Sequence, residues 1–293
     1  MAIQISAGKY AATIVEAGAG LASLTYDGDN LVVPHDPEEK PVGYSGKVLV
    51  PWPNRIAGAQ YEWRGTKFDL EVNEPETGSA LHGLAYDTEW SVVERRGDSV
   101  TLATEVGPEP GYPFSLIAQA TYALDAQTGL RITVTAKNHG EEDAPYGTSI
   151  HPYLTCGASA DNTTLSVPAN TVLEVDENLA PVKETSVEGT RLDLRGGVPM
   201  AGRQVDHAFT GIDSAHWEVT LRCNDTGRGV RMSASAPWVQ VYSGETLDRR
   251  GVAVEPMTCP PDAFNSGTDL IVLAPGEETR FDVSIQALPE VSA

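Results

Sequence analysis

The sequence predicts one large, mostly antiparallel all-β domain spanning residues 1–293, and three observations carry that expectation. Apolar and polar residues alternate at a period of two in segment after segment, while helical spacing is nearly absent. Gly and Pro are frequent, at 28 and 20 of 293 residues, which suits a chain cut into many short strands. No repeat of 20–50 residues is evident, which disfavours a propeller or a solenoid. Periodicity alone does not separate a barrel from a sandwich.

Taken along the chain, the first turn signal is Tyr26-Asp27-Gly28-Asp29-Asn30, where Asp-Gly supplies the positive φ of a tight hairpin. Pro34 to Pro41 is short, rich in Pro and Glu, and reads as a loop. Trp63-Arg64-Gly65-Thr66 and Gln127-Thr128-Gly129 are further hairpin turns. From Leu130 to Lys137 the apolar residues occupy every second position, as they do from Trp217 to Cys223 and from Phe281 to Ala287. Each of these reads as a strand with one buried face. Thr171 to Glu188 is expected to hold a helical turn or two. No composition shift or low-complexity linker divides the chain.

The charge balance excludes several classes. Twenty Lys+Arg stand against 41 Asp+Glu, a formal charge of −21. A non-specific nucleic-acid binder or a partner of anionic membranes needs clustered basic residues instead. No apolar run approaches the ~18–20 residues of a membrane span, and the first ten residues lack the pattern of a secretory signal. Cys156, Cys223 and Cys259 are odd in number and widely spaced, so neither a disulfide framework nor a zinc knuckle is expected. A cytoplasmic protein follows, with no nucleic-acid or membrane partner.

Common catalytic and nucleotide motifs are missing. Gly46-Lys47 is followed by Val48 rather than Ser or Thr, and the six histidines form no H-x-H, H-x₃-H or H-E-x-x-H group. Two segments stand out physically. In Ser149-Ile150-His151-Pro152-Tyr153-Leu154, Pro152 restricts His151 to extended geometry. Alternation then places Ser149, His151 and Tyr153 on one face. In Gly251-Val252-Ala253-Val254-Glu255-Pro256-Met257 a single carboxylate sits in an apolar run, again before Pro. A Glu withdrawn from water has a raised pKa and is a better general base near neutrality. Weaker candidates are Pro51-Trp52-Pro53-Asn54-Arg55, Leu81-His82-Gly83 and Asp206-His207-Ala208-Phe209. Together they hold what a sugar site uses: Asp, Asn, Arg and His for hydroxyls, and aromatic faces for C–H surfaces. Trp52, Tyr153, Trp238 and Phe264 are the aromatic candidates, with core packing the competing role.

In chain order these segments, with Gln240-Val241-Tyr242 and Pro261-Asp262-Ala263-Phe264-Asn265, resemble the aldose 1-epimerase (galactose mutarotase) family over nearly the whole chain. The resemblance implies a large antiparallel β-sandwich, the galactose mutarotase-like supersandwich, with a sugar in an open cleft. It implies Glu255 as the base that takes the proton from the anomeric hydroxyl and His151 as the acid that protonates the ring oxygen. Arg55, His82 and Asp206 match residues that hold the sugar, with Asn54 and Tyr153 as further contacts. No metal and no organic cofactor is implied; the partner is a monosaccharide substrate, and the chain is expected as a monomer or homodimer. Leu154-Thr155-Cys156 and Met257 depart from the pattern of galactose-acting members, so the implied sugar is an aldose rather than galactose in particular. The same residues leave two alternatives open: mutarotation of a phosphorylated or sulfonated hexose, which a second cation beside Arg55 in the cleft would favour (Arg64, Lys67, Arg249 and Arg250 are candidates), and a non-catalytic sugar-binding module. Glycoside hydrolysis would need Glu255 and Asp206 to flank a glycosidic bond.

Overall fold

The structure, a computed structural model, describes residues 1–290. Alternation becomes strand wherever it is strict. Trp217–Cys223 is a strand with the sequence-expected bounds, its apolar side chains buried and the intervening Glu218, Thr220 and Arg222 more open. Leu130 to Lys137 lies within the strand Gly129–Asn138, and Phe281 to Ala287 within Glu278–Leu288. The three expected hairpin turns and the Pro34–Pro41 loop all lie outside strands or at their ends.

Two large sheets dominate. One has nine strands, with Leu116–Asp125, Gly129–Asn138, Glu278–Leu288 and Gly229–Ala234 adjacent at its centre. Its edge strand Ser91–Arg95 is exposed, carries Glu94 and Arg95, and has a register shift between Val92 and Glu94. Charge and a bulge at an edge discourage pairing with another chain. The second sheet has eight strands and runs in the order Pro181–Ser186, Thr171–Val175, Asp206–Thr210, Trp238–Tyr242, Val252–Met257, Ser149–Ile150, Val48–Leu49, with Tyr153–Leu154 also on Val252–Met257. A four-stranded N-terminal sheet completes the body. Pairing is antiparallel between the named strands, and an isolated parallel bridge joins Val50 to Gly83.

The expected helical turns in Thr171–Glu188 are absent. That segment forms the antiparallel strands Thr171–Val175 and Pro181–Ser186, with a turn between them. Thr171, Val172, Val175, Val182 and Thr185 are β-branched and lose χ1 freedom in a helix, and pairing with Asp206–Thr210 decides the matter.

One continuous apolar cluster joins the sheets. It takes Leu102, Tyr122, Ile132 and Ile285 from the nine-stranded sheet, and Phe209, Val239, Val241, Val252 and Val254 from one face of the other. The register pairs Asp206 with Tyr242, Gln240 with Glu255 and Val241 with Val254. Paired residues share a face, so Asp206, Gln240, Tyr242, Ala253 and Glu255 stand together on the face away from this core. Two small apolar clusters flank them there, Val33-Tyr153-Leu247-Ala253 and Leu173-Ala208-Trp238-Met257.

The central strand Gly129–Asn138 anchors the platform. Ile132 is 1 % exposed and lies between Tyr122 and Val283. Ile132→Ala is expected to lower the unfolding free energy by ~2–5 kcal/mol through lost burial and a residual cavity. Urea unfolding should show a lower midpoint at unchanged slope; an unchanged midpoint would remove this strand from the core.

Candidate active site

The register of the short strands around Val252–Met257 builds the centre of the site. Ser149 pairs with Met257 and Tyr153 with Ala253 on that strand. The same register sets His151 directly across from Glu255. Each precedes a proline, so each is held extended, and neither following residue has an N–H to offer the ladder. The result is a cross-strand contact, His151 Nε2 to Glu255 Oε1 at 3.3 Å, with both side chains buried. Gly46 N–H donates to the His151 carbonyl, and His151 N–H donates to the Lys47 carbonyl. Tyr153 stacks on the His151 ring at 5.2 Å, and its hydroxyl donates to the Gly43 carbonyl. The Ser149 hydroxyl expected beside His151 donates to the Pro256 carbonyl instead and does not line the cavity.

Loops supply the other wall. The bridge between Arg55 and Leu81 brings Asn54 and His82 together, and His82 N–H donates to the Asn54 carbonyl at 2.8 Å. Tyr44, Asn54 and His82 all have left-handed φ, at 56°, 52° and 66°. Such strain in non-glycine residues persists only where surrounding contacts over-determine it. The contacts are visible. Tyr44 meets the ring of His82 edge-on at 4.6 Å and that of Tyr86 at 5.0 Å. Gly83, at φ 77°, lies so close to the chain that an added Cβ would stand 2.2 Å from the Val50 carbonyl oxygen. His82 and His151 meet edge to face at 5.2 Å.

Arg55 is fixed by Glu74 through two parallel bonds, Nε to Oε2 at 2.6 Å and Nη2 to Oε1 at 2.7 Å. Thr77 Oγ1 also donates to Glu74. The Asn54 amide oxygen accepts from Arg55 N–H, and the Arg55 carbonyl accepts from Asp262 N–H, so the Pro261–Asn265 segment acts through the Arg55 backbone. Asp206 accepts from Gln240 Nε2 at 2.7 Å.

These residues enclose a cavity of about 200 Å³, small beside the ~300–1,000 Å³ of pockets for drug-sized ligands. Every sequence-predicted site residue lines it: Glu255, His151, Arg55, His82, Asp206, Asn54 and Tyr153. Tyr44, Glu74, Gln240, Tyr242 and Thr246 line it too and were not singled out as site residues. Gln240 and Tyr242 were within reach of sequence reasoning, since they alternate on a strand; Glu74 sits in a loop of ordinary acidic composition and carries no local signal. Of the proposed aromatic faces only Tyr153 reaches the cavity. Trp52 and Phe264 pack together in the core, and Trp238 packs with Met257 while donating to Asp269. No second cation joins Arg55 among the lining residues. Arg64 pairs with Asp143, Arg249 with Asp161 and Glu245, and Arg250 donates to the Leu247 carbonyl. Lys67 lies exposed in a hairpin opposite Glu62.

Burial sets the electrostatics. It pushes Glu255 well above the ordinary carboxylate range; the charge of Asp206 adds to this and that of Arg55 opposes it. Burial lowers His151 to about 4 and takes His82 well below 6.5, with the neighbouring His151 and Arg55 adding to the latter. Asp206 is raised, again chiefly by burial, against the pull of Arg55. Both histidines are thus neutral near pH 7. The His151–Glu255 pair holds a single proton over a wide pH range, so its two titrations belong to the pair. Such a pair can take a proton from one hydroxyl and deliver one to an oxygen nearby.

The profile of the aldose 1-epimerase family matches residues 1–286. YihR of Escherichia coli K12, described as an uncharacterised protein, is 44 % identical over 284 residues, covering 97 % of this chain and 92 % of that one. The aldose 1-epimerase of Haemophilus influenzae is 26 % identical over 258 residues, covering 76 % and 73 %. Among solved structures, the GalM/aldose epimerase homologue from C. elegans superposes with a TM-score of 0.90 at 22 % identity, over 99 % of both chains, a likeness of fold.

Glu74 is the partner whose removal isolates the charge of Arg55. In Glu74→Gln that charge is uncompensated, so the Glu255 carboxyl should titrate at lower pH than in the parent. Side-chain ¹³C NMR against pH reads this directly, with Glu255→Gln assigning the signal. An unmoved midpoint would mean that Arg55 does not act on Glu255.

Proposed function

The chain belongs to the aldose 1-epimerase family, and from that premise we propose that it interconverts the α and β anomers of a free aldose, with Glu255 as base and His151 as acid. The observation that supports this reading most is the contact of His151 Nε2 with Glu255 Oε1, both buried side chains lining a cavity of about 200 Å³. Mutarotation opens a cyclic hemiacetal and closes it on the other face of the carbonyl. Opening breaks the bond from C1 to the ring oxygen. In the reacting tautomer the single proton of the pair has passed from Glu255 to His151 across their contact; Glu255 then takes the proton from O1 while His151 gives its proton to the ring oxygen. Both protons return during closure, after rotation about C1–C2. The pair therefore starts and ends with one proton, and nothing is oxidised, reduced or transferred. Positioned acid–base groups contribute typically ~10²–10⁴-fold each.

The remaining residues fit holding the sugar. Asp206, Asn54, His82 and Arg55 offer acceptors and donors to hydroxyls, and Tyr153 and Tyr44 offer ring faces or edges. Glu74, Asp206 and Glu255 outnumber Arg55, and Arg55 is already paired with Glu74. This balance supports hydroxyls where the sugar meets these acids and speaks against an anionic substituent there. Matched acid and base groups speak against a purely binding module, which has no use for them.

Fresh single anomers of neutral aldoses and of anionic hexoses, followed by polarimetry or anomeric-exchange NMR, test the reading. At least one should relax faster than in buffer; a whole panel relaxing at the buffer rate would defeat it. Glu255→Gln should lower turnover by at least ~10² with sugar binding retained. Near-normal turnover would remove Glu255 as the base.

The pH profile gives a separate test. Below about 4, where His151 takes up a second proton, the pair has no base. Above the raised Glu255 range the last proton leaves and the pair has no acid. Activity should therefore stay level through pH 6.5 and decline only near the lower bound and well into the alkaline range. A drop centred at 6.5, the value of an ordinary histidine, would be incompatible with the buried pair.

A further inference from the structure

His82, His151 and Glu255 form a second kind of constellation. Each offers one donor atom, and the three atoms lie within 4.8 Å of one another, all on buried side chains that line the cavity. We propose that these three residues form a binding site for a divalent transition-metal ion of the Zn²⁺ type, and that an ion bound there switches the acid–base pair off. The metal site rests on the donor geometry alone; the inhibition rests on the mutarotase reading.

Two imidazoles and one carboxylate are a donor set that suits Zn²⁺, Co²⁺ or Ni²⁺. Ligands of a tetrahedral zinc at ~2.0–2.1 Å stand roughly 3.3 Å apart, so each donor has to move by less than about 1 Å to close on an ion. His151 Nε2 and Glu255 Oε1 are already at 3.3 Å. Three acids, Glu74, Asp206 and Glu255, line the cavity against the single cation Arg55, a balance that favours an entering cation.

The surroundings set the strength and hence the role. A metal-binding histidine normally donates its second ring N–H to an acceptor that fixes the ring, and losing that partner costs ~10–100-fold in affinity. Nδ1 of His82 and Nδ1 of His151 are buried without any hydrogen-bond partner. The site is therefore expected to be reversible and competitive with sugar, not a permanent structural centre. Zinc bonded to Glu255 and His151 occupies the groups that would take and give the proton, which is why binding and turnover exclude each other.

The test uses the full-length protein and Co²⁺ as a visible probe, in the absence of sugar. Titration of the metal-free protein should develop the intense d–d bands of a low-symmetry site and saturate at one ion per chain; Zn²⁺ should bleach them. His82→Asn (Asn tolerates the left-handed backbone) and Glu255→Gln should each weaken binding by at least ~100-fold, whereas His216→Ala, on an exposed histidine, should leave it unchanged. Circular dichroism confirms that each variant is folded. In turnover assays Zn²⁺ at about ten times its dissociation constant should lower the rate ~10-fold at low sugar, be relieved by excess sugar, and be reversed by a chelator. Bands that survive unchanged in both folded site variants would place the metal elsewhere and overturn the site. Specific binding with no loss of turnover would overturn the switch. Specific binding in a protein that anomerises no sugar would keep the site and reject the mutarotase reading instead.

Discussion

A buried histidine facing a buried glutamate across two antiparallel strands is the constraint on which the rest of this molecule depends. Neither group is stable there as a lone charge, because withdrawal from water penalises the ionised form of each. Burial raises Glu255 and lowers His151, which leaves the pair one proton between them. The strand register makes this arrangement durable. It sets the two residues opposite each other, and the prolines that follow them hold both backbones extended while removing the N–H groups that would otherwise complete the ladder. A pair at the end of mobile loops would lose the contact whenever the loops moved. On a sheet packed against a continuous core it does not.

What surrounds the pair can be understood as compensation for it. Asp206 adds negative potential and raises Glu255 further, while Arg55 opposes that shift. Glu74 in turn holds Arg55 with a two-point bond and offsets its charge, so the pair is not pulled into full ionisation. Asp206 stands on the sheet, whereas Arg55 and Glu74 come from the loop wall, and that wall reaches the site at a conformational cost seen in the left-handed Tyr44, Asn54 and His82. The contacts of Tyr44 with His82 and Tyr86, and the close passage of Gly83 over Val50, hold them there. Strain in the loops and rigidity in the sheet are thus two parts of one arrangement.

This division explains what could be read from sequence. Strand residues announce themselves by period: Trp217–Cys223 matches its expected bounds, and a carboxylate at position 255 inside an apolar run is conspicuous because alternation says which way it points. Pro152 and Pro256 strengthen the reading by restricting the residue before each. Where the signal was only local propensity it failed, as in Thr171–Glu188, because pairing with Asp206–Thr210 outweighs any tendency of an isolated segment. Ser149 lies only two residues before His151, yet its hydroxyl is consumed by the Pro256 carbonyl, a partner more than a hundred residues away. Glu74 was invisible for the converse reason. Nothing in its own neighbourhood distinguishes it from the other acids of an acidic chain, and only the tertiary approach of Arg55 gives it a role. Trp52 and Phe264 were plausible sugar platforms by type, but bulk of that size is usually needed in the core, where both lie.

Charge shows most clearly how scale decides meaning. The formal value of −21 is spread over the whole surface, and beyond ~8 Å it is largely screened at physiological salt. The four charged residues around the cavity act at contact distances and in low dielectric, where screening is weak. Three of them are acids, and the one cation is committed to an acid. Burial does most to raise the proton affinity of Glu255, and the charge of Asp206 adds to it. The local excess of acids, beside two neutral imidazoles, raises the affinity of the cavity for a metal cation. The two properties share the charge of Asp206 as a contribution, so they are coupled. Any change that makes Glu255 a weaker base by adding positive charge nearby also makes the cavity less attractive to a divalent ion.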